Sequence, residues 1–148
     1  DLYPLQLRPE IDSLNTWIYD EFNNGVYKAG FATAQEKYDE AVVKVRDSLR
    51  KLEDILSTKR YLTGPDMTEA DIRCFTTALR HDPVYFGHFK CNLVSVRECP
   101  NVLRWMREIY PLVKDTVNMD HIKRHYYMSH RQINPNGIVP LSNGPSLE

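Results

Sequence analysis

Apolar residues recur along most of this chain at helical spacing, and nowhere do they alternate with the period of a strand over a useful length. Ile11, Leu14, Ile18 and Phe22 define a first amphipathic helix, with Pro9 in its opening turn and Trp17 at the edge of the apolar face. Asn23-Asn24-Gly25 is expected to end it, with Gly25 or an Asn taking the left-handed cap. Val26 to Phe31 reads as a connector, yet it is aromatic-rich and glycine-flanked. Solvated loops seldom have that composition, so it is expected to tuck into the core or to line a site. Thr33 with Glu36 has the form of a capping box. It precedes a long helix with Tyr38, Ala41, Val42, Val45, Leu49, Leu52 and Leu56 on one face. Charged residues fill the other face, as on a solvated surface.

The most explicit helix start follows. Gly64-Pro65 breaks the preceding element, Thr68 is placed as an N-cap, and Asp71 three residues on completes a capping box. A carboxylate there also meets the positive end of the helix dipole. Met67 and Ile72 suit a hydrophobic staple. Ile72, Phe75, Thr76 and Leu79 form the expected buried stripe. The small residues Ala70, Cys74 and Ala78 offer a second face for close neighbours. Pro83 is expected to stop this helix near Arg80–Asp82. The aromatic cluster from Val84 to Asn92 then leads toward a helix running to Glu98. Pro100 starts another helix, with Val102, Leu103, Met106, Ile109 and Tyr110 as its apolar set and Pro111 as its stop. Thr116 is a candidate cap for a last helix through Ile122, His125, Tyr126 and Tyr127. From Gln132 the chain reads as an extended tail that docks through Ile133, Ile138, Val139 and Leu141.

A length of 148 residues fits one domain, and 42% hydrophobic with 26% charged residues is globular composition. A net charge of −1 gives no electrostatic case for nucleic acid or an anionic membrane. No apolar run approaches the roughly 20 residues of a membrane span, and no signal peptide is visible. Cys74, Cys91 and Cys99 are odd in number and lack C-x-x-C spacing, so free thiols in a reducing, cytoplasmic setting are expected. The chain starts at Asp1, and Leu147-Glu148 has the form of a cloning scar. A longer parent protein is therefore expected.

The common phosphate-binding, serine-nucleophile and zinc-protease motifs are missing. His121 and His125 share a helix face, and His88 with Cys91 is a loose pair. A zinc site needs a third or fourth converging ligand, so ordinary histidines and buried thiols are preferred and no metal is expected. The thiols have no evident activating neighbour, so none is expected to be catalytic. Tyrosine stands out, with nine in the chain. Tyr27 lies between glycines, Tyr85 follows Asp82-Pro83, and Tyr126-Tyr127 form a pair. A buried phenol needs a hydrogen-bond partner and can donate to a thiolate or an oxyanion, or act as a general acid.

"RYLTGPDMTEADIRCFTTALR" resembles the segment that opens the core helix of the all-helical C-terminal domain of glutathione transferases. "NNGVYKAGFATAQEKY", "RHDPVYFGHFKCN" and "HIKRHYYMSHRQINPNGIVP" are similar to the xi class, the glutathionyl-hydroquinone reductases, over nearly the whole chain. The resemblance implies an all-α bundle over 1–141 with an extended tail over 142–148, and an absent N-terminal thioredoxin-like domain acting in cis. It implies that Tyr27 is the proton donor, and that Tyr85 and a second tyrosine hold the active-site thiol as thiolate. Tyr127 is favoured for that second role, with Tyr126 the alternative. Phe31, Phe86 and Tyr126 are expected on the substrate side. Glutathione is implied as co-substrate, held mostly by the missing domain, with a glutathionyl-hydroquinone as substrate and a homodimer as assembly. None of the three cysteines matches the family's nucleophile, so the parent is expected to be the enzyme and this chain alone to be inactive. A non-catalytic, transferase-like interaction module is the alternative, and inward phenols argue against it.

Overall fold

The computed structural model describes residues 1–148. Helix α1 spans Arg8–Trp17 with Pro9 in its first turn. It does not stop at Asn23-Asn24-Gly25. It widens into a π-turn over Ile18–Asn23, and Gly25 then opens α2, Gly25–Gly30. Gly25 is not a left-handed cap, since positive φ among the glycines occurs only at Gly64, Gly137 and Gly144. Close approach is what requires it: a Cβ at Gly25 would lie 3.2 Å from Val45 Cγ2 on α3, Gln35–Thr58. The expected connector is therefore mostly helix, laid against α3 with Val26 and Ala29 buried. The stripe read along α3 from Ala41 to Leu56 is the face it buries. The Thr33–Glu36 box does not cap it, because Ala34 precedes the first turn and no side chain bonds there.

Helix α4, Glu69–Arg80, starts from the closed Thr68–Asp71 capping box. Asp71 is fully buried and takes the Thr68 N–H at 2.9 Å, the Leu62 N–H at 2.9 Å and the Trp105 indole N–H at 2.8 Å. One carboxylate thus ties the helix start to the preceding turn and to α6, Pro100–Val113. The buried face of α4 runs through Ala70, Cys74, Phe75, Ala78 and Leu79, its small residues admitting α1 and α6. Ile72 is only half-buried and Thr76 is exposed, contrary to the expected stripe.

Pro83 does not end the helical path. The chain widens into a π-turn over His81–Tyr85 and continues as α5, Phe86–His88. A wider turn tolerates a ring that has no N–H to donate. The expected helix to Glu98 shrinks to a 3₁₀ turn at Val96–Glu98. In α6, Pro111 sits inside the last turns and does not stop the helix, and Trp105 joins the core that was read without it. The α6 start is capped from α3, where the Glu53 carboxylate accepts the Asn101 and Val102 N–H groups, each at 2.9 Å. The cap of α7, Met119–Ser129, is Asn118 rather than Thr116. Its Oδ1 accepts the His121 N–H at 3.0 Å.

The tail docks by charge as well as by apolar contact. Buried Lys123 donates to the carbonyls of Pro140, Leu141 and Ser142 at 2.8 to 3.2 Å. Ile133, Val139 and Leu147 pack on the core, whereas Ile138 and Leu141 stay outside it, contrary to expectation. The result is all-α, with one isolated bridge between Tyr61 and Gly64, and no helix is long and apolar enough to cross a membrane.

Candidate active site

Three phenols from distant segments meet at one point. Tyr27 comes from α2, Tyr85 closes the second π-turn, and Tyr126 projects from α7. The Tyr126 hydroxyl lies 2.5 Å from that of Tyr27 and 2.9 Å from that of Tyr85. Phe89 sets the spacing. It is fully buried, stacks on Tyr85 at 5.3 Å and tilts against Tyr27 at 5.2 Å. It reaches this position because residue 30 is glycine: a Cβ there would stand 2.2 Å from Phe89 Cδ1. The sequence places Phe89 in the second aromatic cluster without singling it out, although a glycine set among aromatics is the signal.

The hydrogen count of the cluster is informative. Three phenols carry three O–H protons, and two hydrogen bonds join them, so one O–H is left to donate outward. Tyr85 and Tyr126 are buried at 3% and 7% exposure, while Tyr27 is 38% exposed. The accessible end of the relay is therefore Tyr27. Burial, and then the bond to Tyr126, push the Tyr27 phenol up to about 12, so it is protonated at neutral pH. Burial and Tyr126 raise Tyr85 as well.

The three rings border an open cavity of about 610 Å³, walled also by Tyr19, Asn24, Thr76 and two arginines, Arg73 and Arg80. Ile72 and Thr76, the misassigned residues of α4, face this cavity. Tyr127, favoured from sequence, points elsewhere. Its hydroxyl donates to the Val84 and Pro83 carbonyls at 3.2 and 3.4 Å, so Tyr126 is the member of the pair that joins the cluster. Phe31 stacks beside Tyr27 and meets His130 edge-on, outside the cavity lining. Phe86 belongs to a different hollow, beside Asp82, Ser142 and Gly144, with its ring against His81. Phe86, expected on the substrate side, thus lies outside the lining of the tyrosine cavity, because the π-turn carries it past.

The thiols are poor nucleophiles. All three are free and buried, and burial raises each, Cys91 up to about 12 and Cys99 to about 11. His88 does not pair with Cys91. Its Nε2 meets His130 Nδ1 at 3.0 Å, and burial, then His130, bring it down to about 4. No three His, Cys, Asp or Glu side chains gather to hold a metal.

Residues 35–108 match the family model for the glutathione S-transferase C-terminal domain. Glutathionyl-hydroquinone reductase YqjG of Escherichia coli (strain K12) is 54% identical over 150 residues, covering 100% of this chain and 46% of the relative. Glutathionyl-hydroquinone reductase PcpF of Sphingobium chlorophenolicum is 47% identical, covering 99% and 47%. The glutathione-bound YqjG structure superposes with a TM-score of 0.94 at 55% identity, covering 99% of this chain and 47% of that one. The chain spans about half the length of the curated relatives it matches.

Proposed function

Since the chain belongs to the glutathione S-transferase family, as its C-terminal domain, we propose that it is the quinol-side half of a glutathione-dependent reductase acting on glutathionyl-hydroquinones. The observation that carries this reading is the Tyr27–Tyr126–Tyr85 relay, which has one O–H to spare and reaches the cavity at its exposed end, Tyr27. Similarity to two glutathionyl-hydroquinone reductases supports it. The nucleophilic cysteine and most of the glutathione site belong to a thioredoxin-like half in cis.

In the proposed reaction the cysteine thiolate attacks the thioether sulfur of the substrate. The carbon–sulfur bond breaks and its electron pair passes to the ring carbon. Tyr27 gives that carbon its proton, and the phenolate regains one from solvent. A second glutathione attacks the cysteine–glutathione disulfide, releasing oxidised glutathione and restoring the thiolate. Tyr126 and Tyr85 hold the Tyr27 hydroxyl in place, and the single O–H that the cluster has to spare is what it offers the reacting centre. This chain alone lacks an ionised thiol and is inactive. Homodimer pairing through the helical domain, a domain over 1–141 with a tail over 142–148, and a reducing cytoplasmic setting belong to the same reading. Phenols turned inward onto one cavity favour it over a purely docking module.

The test is Tyr27→Phe in the protein carrying both halves. The loss expected in kcat is about 10²- to 10⁴-fold, the range for a general acid, with an unchanged melting temperature. A variant turning over within threefold of the parent (roughly the resolution of such comparisons, against that range) would sink the assignment.

A further inference from the structure

The wall of the tyrosine cavity formed by α4 is cationic. Twelve residues line the cavity; two of them are arginines and none is an Asp or Glu. Arg73 leans toward Glu69 at 3.7 Å across one helical turn. Arg80 has no carboxylate partner. Its one hydrogen bond runs from Nη1 to the Thr76 carbonyl at 2.8 Å. That bond suits a cation at a helix C-terminus and fixes the guanidinium on the cavity wall, leaving four of its five N–H donors free. Most other arginines of the chain are paired with acids, as Arg60 and Arg104 are with Glu108. A fixed guanidinium with no acid partner, beside three phenol rings in an open hollow, is a receptor for charge. Ile72 and the tyrosine rings give an aromatic ligand its apolar contact, and the spare phenol proton of the relay donates to an oxygen on it.

We propose that this cavity selects anionic aromatic ligands, rings bearing a carboxylate or an ionised phenol, and that Arg80 reads the charge. The inference rests on the proposed function and narrows its substrate class. Entry of an anion into the hollow costs hydration, which a neutral ring does not lose, and a pre-positioned guanidinium offsets that cost.

Calorimetric titration of the protein with hydroquinone and with its ring carboxylate, gentisate, tests the proposal. Gentisate is expected to bind about tenfold more tightly, the value of one charge-assisted hydrogen bond. Its advantage shrinks at high salt, disappears in Arg80→Gln and is partly kept in Arg80→Lys. The salt series uses the unaltered protein, so it does not depend on how any variant folds. Equal binding of the two compounds, binding of neither, or a gentisate preference indifferent to salt and to Arg80→Gln would each overturn the proposal. Turnover that depends on Tyr27 but ignores ring charge refutes this inference alone and leaves the reductase reading standing.

Discussion

Replacing Asp71 with alanine removes the acceptor shared by three buried donors, the N–H groups of Leu62, Thr68 and Trp105, all within 2.9 Å of its carboxylate. None of the three gains a substitute. Trp105 is fully buried, and so is Leu62, while Thr68 is 1% exposed. A buried donor left without its acceptor costs about 1–3 kcal/mol, and these three bonds go to a carboxylate, which places each in the upper half of that range. Loss of the cap adds about 1 kcal/mol. The sum is about 7–10 kcal/mol before any relaxation, and water entering the opened site brings it nearer to about 4–6. A domain of this size has roughly 5–15 kcal/mol in all, so the variant is expected at the edge of unfolding. Asp71→Asn keeps the shape but turns an amide N–H toward one of the donors, and should cost about 2–3 kcal/mol. Urea titrations followed by circular dichroism and by Trp fluorescence would give both values from the shift in midpoint at constant slope. A midpoint for Asp71→Ala corresponding to less than about 1 kcal/mol would show that the shared acceptor is not what holds α4 to the turn and to α6.

In the two-half protein, Tyr126→Phe removes both relay bonds and is expected to lower kcat at least about tenfold, and to cost about 1–3 kcal/mol because the buried Tyr85 hydroxyl loses its partner. Tyr127→Phe, which loses only bonds to the Pro83 and Val84 carbonyls, should leave kcat near the parent's while costing about 1 kcal/mol in denaturant titration. Gly30→Ala drives a methyl group into the buried Phe89 ring, and about 2–3 kcal/mol is expected from chemical unfolding, together with weaker packing around Tyr27. His88, brought down to about 4, binds its proton more readily in the unfolded chain. Its contribution is complete above its ordinary value of 6.5 and is lost as pH falls from there toward about 4. Acid titration of wild type against His88→Phe should therefore show a loss of stability in that window that is absent from the variant.

The readings that held and those that failed differ in what competes with the local signal. Thr68 and Asp71 are three residues apart, and the box forms as read because its chemistry is local. The long stripe of α3 is likewise a periodic signal with one partner surface. A tertiary contact overrides the local rule at Gly25, whereas Pro83 and Thr116 lose to competing local geometry, a π-turn and the Asn118 cap. Gly25 answers to Val45, twenty residues away, and Pro83 is absorbed by a π-turn. In α4 the larger residues Ile72 and Thr76 look outward because the cavity needs a wall there, while alanines and a cysteine face the close neighbours. Apolar size is a guide to burial only where no site competes for the same helix.

The choice between Tyr126 and Tyr127 exposes the same limit at the site itself. Adjacent positions on a helix point about 100° apart, so one of the pair must leave the cluster, and sequence contains nothing to say which. The answer lies in the π-turn around Pro83, whose Pro83 and Val84 carbonyls draw the Tyr127 hydroxyl and thereby assign Tyr126 to the relay. That turn also delivers Tyr85 to the cluster and carries Phe86 out of the cavity. One irregularity in the helical path therefore fixes three of the aromatic assignments. Straightening it, rather than removing any single phenol, is the change that would dissolve the site as a whole.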